Sequence, residues 1–235
     1  MKQKRKINLP FFEIGPKSYL YGDDILELAK AADTASEKYG VDIIFTTPVV
    51  DICRVKAATK NIHVFAPHMD AIYPGRGLAD ILPESLVAVG ADGVMLNHCE
   101  KPISFEVLEK TIERANELCL TTIVCADSLA DASKIATLKP DIIVAEPSEL
   151  IGTGVTVGEK YVEAATKSVK DVNPDILVLT AAGISNGQDV FNTIIAGADA
   201  TGSSSGIAKA KDRAAMVDEM IAAVRQAYDQ RHQNK

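Results

Sequence analysis

The chain has 235 residues, 47% of them hydrophobic and 24% charged, with a formal net charge of −7. A chain of this length buries a sizeable core, and its composition is ordinary for a globular protein. The acidic balance argues against a general nucleic-acid binder, which needs a basic face, so an anionic ligand has to be held by local positive potential.

The first residues, MKQKRK, are basic. The stretch after them, INLPFFEIG, is short and carries Glu13, which makes it a poor core for a secretory leader. No apolar run approaches the roughly 20 residues of a membrane helix, so no membrane contact is expected. Cys53, Cys99, Cys119 and Cys125 form no CxxC pair and match no zinc spacing. They read as buried or partly buried thiols of a reducing compartment, and a cytoplasmic location is expected.

In chain order, an apolar run at 8–15 precedes a helical pattern at 24–40, which closes on Gly40 where a helix C-cap belongs. Runs at 41–48, 61–67 and 92–98 follow, then a helix at 104–118 and a run at 121–127. A helix at 128–139, a run at 140–146, a helix at 159–172 and a run at 175–181 come next. A helix at 189–197, a run at 198–204 and a closing helix at 214–230 complete the series. The runs are almost continuously apolar rather than alternating, as parallel strands buried on both faces are. Strands alternating with helices make βαβ units. Eight units leave little room for a second domain, so residues 1–235 are read as one. Periodicity alone does not separate a closed barrel from an open doubly wound sheet; the count of eight favours closure.

Several strand ends carry chemistry. In VAEPSELIGTGVTVG (144–158), Glu146 ends an apolar strand, Pro147 stops it, and a loop with Gly152 and Gly154 follows. A carboxylate there can act as a base, with a loop that closes, expels water and raises its pKa. A charged strand end beside a surface loop has the same appearance. In GVMLNHCE (93–100), His98 follows a buried strand and precedes Pro102 and a helix. A helix N-terminus disfavours imidazolium, so a neutral donor is one reading and a structural histidine another. Glu100 is either its partner or a first-turn acid. TAAGISNGQDV (180–190) and ATGSSSGIAKAKD (200–212) are small-residue turns whose N–H groups could cradle phosphate, or are simply turns. Lys17, after Gly15-Pro16, is a candidate fixed cation.

The order of these pieces resembles the triosephosphate isomerase family. AEPSELIGTG (145–154) is similar to its loop-six signature in the archaeal form, and LNHCE (96–100) to its histidine motif, usually His-Ser-Glu. AAGIS with NGQDV resembles the seventh-loop phosphate segment, and SSSGIAKAKD the eighth. PGRGLADILPESLVAVGADGVMLNHCE (74–100) runs parallel to the archaeal pattern without gaps. The resemblance covers about residues 17–212. It implies a single (β/α)8 barrel with its site at the C-terminal ends of the strands. It further implies Glu146 as general base, His98 as neutral electrophile and Lys17 as the cation, with Glu100 supporting. Backbone amides at Gly152, Gly183, Ser205 and Gly206 would hold the phosphate. The implied reaction interconverts glyceraldehyde 3-phosphate and dihydroxyacetone phosphate through an enediolate, with no metal and no cofactor. The implied partners are a small phosphorylated sugar and further copies of the chain, at least a dimer.

Four positions depart from the family pattern. Gly15 stands where the family has Asn, Pro67 where it has Gln, Leu78 where it has Thr, and Cys99 replaces the Ser of His-Ser-Glu. Three of these normally form a polar network around the lysine at a subunit contact. Two other readings therefore stay open: a paralogue acting on another small sugar phosphate, such as a tetrulose phosphate, and a non-catalytic sugar-phosphate binder. Retained Glu146 and His98 count against the binder, which needs no base.

Overall fold

The computed structural model describes residues 3–147, 150 and 156–233. Eight parallel strands close into a barrel in chain order: β1 (Phe11–Ile14), β2 (Asp42–Thr46), β3 (His63–Ala66), β4 (Gly93–Leu96), β5 (Thr121–Ala126), β6 (Ile142–Ala145), β7 (Leu177–Leu179) and β8 (Ala200–Ser203). Phe11 is in register with Asp42 on one side and with Ala200 on the other, which shuts the ring. Each strand lies inside the apolar run expected for it.

The strands sort their side chains with period two. Phe11, Ile44, Phe65, Ile123, Ile142 and Leu179 fill the barrel interior. Phe12, Ile14, Ile43 and Val64 belong to the larger cluster that packs under the helices. Both sets are apolar because both faces are covered, which is why the sequence shows unbroken runs. By the same alternation Glu13 shares the inward face with Phe11, yet it is only 8% exposed. It is a carboxyl carried into the barrel.

The outer ring contains the long helices read from the sequence: α1 (Asp23–Tyr39), α4 (Phe105–Glu117), α5 (Leu129–Ala136), α6 (Glu159–Lys170), α7 (Gly187–Ile195) and α9 (Arg213–Gln233). It also contains α2 (Ile52–Ala58), α3 (Pro83–Ala88) and α8 (Ser205–Ala208), which the sequence reading did not contain. At seven, six and four residues they are too short for a helical period to stand out. α1 ends as expected on Gly40, left-handed at φ 60°, whose N–H donates to the Ser36 carbonyl.

Side-chain caps fix where the chain turns at the C-terminal mouth. Ser104 accepts from the Val107 N–H to start α4, Ser128 from Asp131 to start α5, and Asn186 from Asp189 to start α7. At the opposite mouth the basic N-terminus is tied to the barrel. Lys4 pairs with Asp141 at 2.6 Å, and Arg5 donates to the carbonyls of Ile62 at 2.7 Å and Asn61 at 2.9 Å. No helix among the described residues is long and apolar enough to cross a membrane.

Candidate active site

At the C-terminal mouth a cleft of about 370 Å³ is lined by Lys17, His98, Glu100, Glu146, Gly183 and Ser205, with Gly206 beside them. Five strand ends or strand-to-helix loops thus deliver to one place the residues that the sequence singled out separately. Gly152 lies outside the described residues.

Glu146 follows β6 directly, its N–H donating to the Ala126 carbonyl of β5 at 3.1 Å. That bond continues the ladder one residue past the strand and aims the side chain into the cleft. Burial pushes its carboxyl up to about 7; Lys17 opposes the shift and Asp127 adds to it. A carboxylate with that pKa is half-charged near neutrality and poised to take a proton from carbon.

His98 sits in a tight turn after β4, where the Lys101 N–H donates to the His98 carbonyl at 2.7 Å. The Glu100 N–H approaches Nδ1 at 3.1 Å, so Nδ1 accepts and the proton resides on Nε2. The neighbouring Asn97 fixes the turn at φ 56°: its Nδ2 donates to the Cys125 carbonyl at 3.0 Å and its Oδ1 accepts from Ile103 N–H at 3.1 Å. The imidazole pKa is lowered, first by burial and then by Lys17, with Glu100 opposing. The neutral form expected from the sequence is therefore favoured, but for another reason: α4 begins only at Phe105, beyond its N-cap Ser104. Low polarity and a neighbouring cation act here, rather than a helix dipole.

Lys17 adopts a left-handed backbone at φ 48°, a conformation that costs on the order of 1 kcal/mol or more for a residue with a side chain. Its ammonium donates to Glu100 Oε1 at 2.9 Å, and it is the less exposed partner, 21% against 64%. Glu100 is held ionised below its ordinary range by that hydrogen bond. Lys209, which the sequence reading passed over, also lines the cleft, above the Tyr19 ring at 5.0 Å. Two ammonium groups at one mouth supply the local positive potential that an acidic chain needs to hold an anion.

The turns after β7 and β8 are built against each other. Ser203 Oγ donates to the Ile184 carbonyl at 2.9 Å. A Cβ on Gly206 would meet that same carbonyl oxygen at 2.5 Å, so the close approach requires glycine. Ser205 and Gly206 open the short α8, where N–H groups have no intrahelical acceptor, and they face the cleft. Among the described residues no group of three His, Cys, Asp or Glu side chains is set to hold a metal ion.

Of the four departures, only Cys99 touches a residue singled out for the chemistry. Gly15 and Pro67 line a second cleft with Thr46 and Val49, on the other side of Lys17 and His98. Leu78 stands 92% exposed. Cys99 places its sulfur 3.7 Å from His98 Nδ1. Three of the four therefore alter the wall behind Lys17 or the outer surface, not the cleft in front of it.

The chain is similar to known proteins over most of its length. The family model described as "Triosephosphate isomerase" matches residues 16–224. A triosephosphate isomerase of Sulfolobus acidocaldarius is 36% identical over 216 residues, covering 90% of this chain and 94% of that protein. One of Methanocaldococcus jannaschii is 38% identical over 203 residues, covering 85% and 92%. One of Sulfurisphaera tokodaii is 34% identical over 226 residues, covering 94% and 98%.

Proposed function

Because the chain belongs to the triosephosphate isomerase family, we propose that it interconverts dihydroxyacetone phosphate and glyceraldehyde 3-phosphate with Glu146, His98 and Lys17 as its working groups. The observation that carries this reading is their convergence, with the turns at Gly183 and Ser205–Gly206, on one cleft. The reaction is an intramolecular oxidation and reduction: one carbon loses a proton, its neighbour gains one, and no electrons leave the substrate.

Glu146 takes a proton from the hydroxymethyl carbon of dihydroxyacetone phosphate. Charge develops on the carbonyl oxygen, where the Nε2–H of neutral His98 donates to it. His98 gives its Nε2 proton to that oxygen and takes back the proton of the terminal hydroxyl, while Glu146 returns its proton to the central carbon, which leaves the aldehyde and restores both groups. A neutral imidazole suits this step because its pKa is closer to that of an enediol than an imidazolium's would be. The amides of Gly183, Ser205 and Gly206 hold the phosphate, with Gly152 assigned the same role by family position. Lys17 faces the substrate's negative charge, and Glu100 orients Lys17 through their hydrogen bond.

Turnover of dihydroxyacetone phosphate by purified protein, coupled to oxidation or reduction of the product aldehyde, tests the reading; absence of turnover sinks it. Lys17→Ala is expected to raise KM by about 10- to 100-fold at low ionic strength, the worth of one charged hydrogen bond. The ratio should shrink as salt approaches 1 M, where screening is nearly complete within a few ångströms. A salt-independent ratio would show that the ammonium acts by shape alone.

A cytoplasmic location and self-association belong to the same proposal. Leu78 and Tyr73, 92% and 61% exposed on one loop, are apolar surface that a second copy would cover.

A further inference from the structure

The barrel interior contains a carboxyl that the mechanism above does not use. Glu13 is 8% exposed, and its Oε1 accepts from Thr46 Oγ1 of β2 at 2.7 Å. Two glycines make room for it. A Cβ on Gly15 would meet Glu13 Oε1 at 2.8 Å, and one on Gly202 would meet Oε2 at 3.1 Å. The carboxyl therefore lies where a side chain at position 15 would start. Gly202 lines the reacting cleft, while Gly15 and Thr46 line the cleft behind Lys17, so Glu13 is set in the wall between them.

We propose that Glu13 is a positioning residue of the isomerase site, a neutral carboxylic acid seated between Gly15, Thr46 and Gly202 that adds no second anion near Lys17 to the one Glu100 supplies. The inference rests on the isomerase reading. A polar side chain is needed there because Gly15 has none to offer, and an apolar filling would leave the Thr46 hydroxyl unpaired in the wall. A charged group would be wrong, because a second anion beside the Glu100 carboxylate would draw further on the Lys17 ammonium and weaken its hold on an anionic substrate.

The surroundings favour the proton. Burial pushes the Glu13 carboxyl up to about 7 and Glu146 adds to the shift; the Thr46 hydrogen bond and Lys17 oppose it. The strands paired to β1 bring no charge to this level, since Glu13 is in register with Ile44 of β2 and Gly202 of β8. Beyond them the titratable neighbours are Lys17, Glu146 and, on β5, Cys125, whose thiol is held protonated by burial. Both carboxyls are raised to about 7, and charge on Glu146 favours the proton on Glu13.

The test is the pH dependence of kinetics in the whole protein with dihydroxyacetone phosphate. Glu13→Gln keeps the shape and neutrality of the protonated acid and removes its ionisation. Wild type should show KM rising on the alkaline side of neutrality, by on the order of tenfold for one added charge. Glu13→Gln should match wild type near pH 6.5 and show no such rise, with kcat alike in both. An unchanged alkaline limb in Glu13→Gln, or an effect confined to kcat, overturns the proposal. A second measurement does not depend on that variant folding. With side-chain carboxyls labelled by carbon-13, the Glu146→Gln protein should keep one glutamate that titrates near neutrality, far from the ordinary ~4.3; if all titrate in the ordinary range, the proposal is wrong. Inactive wild type would instead overturn the isomerase reading, while active wild type with an unaltered profile in Glu13→Gln overturns this inference alone.

Discussion

Glu146→Gln is expected to lower kcat by about 10²–10⁴-fold, the usual worth of a positioned acid–base group, with KM close to wild type. Glutamine fills the same volume at the end of β6 and keeps its backbone bond to Ala126; it lacks only the ability to accept a proton from carbon. The wild-type profile of kcat/KM should fall tenfold per unit below about pH 7, where the carboxylate takes its proton, and the residual activity of the variant should lose that limb. Stability should move the other way. The folded pKa of Glu146 is raised, so between about 4.5 and about 7 the native state binds more protons than the unfolded one, and stability declines as pH rises through that window. The glutamine variant escapes that decline, and its urea midpoint at pH 8 should be no lower than that of wild type. A variant equally unstable and inactive would mean that the carboxylate serves the fold rather than the reaction.

His98→Gln is expected to cost a comparable factor, about 10²–10⁴ in kcat, and for a separable reason. The imidazole is fixed by the Glu100 N–H on Nδ1 and by the turn that Asn97 ties to β5, which leaves Nε2–H for the substrate oxygen that the proposed mechanism assigns to it. Glutamine can offer an N–H, but on a longer, more mobile stem and with an amide too weakly acidic to exchange protons with an enediol. Single-turnover kinetics should place the loss in the chemical step. If instead KM rises with kcat intact, His98 only binds substrate and the electrophile has to be sought elsewhere.

Much of this molecule could be read from sequence because two physical patterns are local. Strands buried on both faces leave unbroken apolar runs, and all eight contain a strand. A carboxylate followed by proline and glycines at the end of such a run, as at Glu146-Pro147, marks a strand end where chemistry can sit. The short helices α2, α3 and α8 left no pattern because one or two turns do not complete a helical period. Lys209 was hidden in a lysine-rich stretch that looks like solvated surface. The cause of the neutral imidazole was misassigned because the distance from His98 to the first turn of α4 depends on where Ser104 caps it. Glu13 was the hardest: an acid inside an apolar run argues only against a leader peptide, until the strand's inward phase and the glycines at 15 and 202 come together across the barrel. Three of the four departures read as the loss of one polar network around Lys17 at a subunit contact, but a departure's side of Lys17 is a tertiary fact. Gly15 and Pro67 line a neighbouring cleft that shares Lys17 and His98 with the reacting one.

The proposed isomerisation requires Glu146 to move one proton between adjacent carbons of a phosphorylated three-carbon sugar. Incubation of dihydroxyacetone phosphate with the protein in deuterium oxide, followed by proton NMR, reads that event directly. The expected result is deuterium entering the hydroxymethyl carbon of dihydroxyacetone phosphate and the central carbon of glyceraldehyde 3-phosphate, at a rate that collapses in Glu146→Gln. Both sugars staying fully protonated beside active-site concentrations of wild-type protein, or deuterium entering as fast in Glu146→Gln, would contradict it.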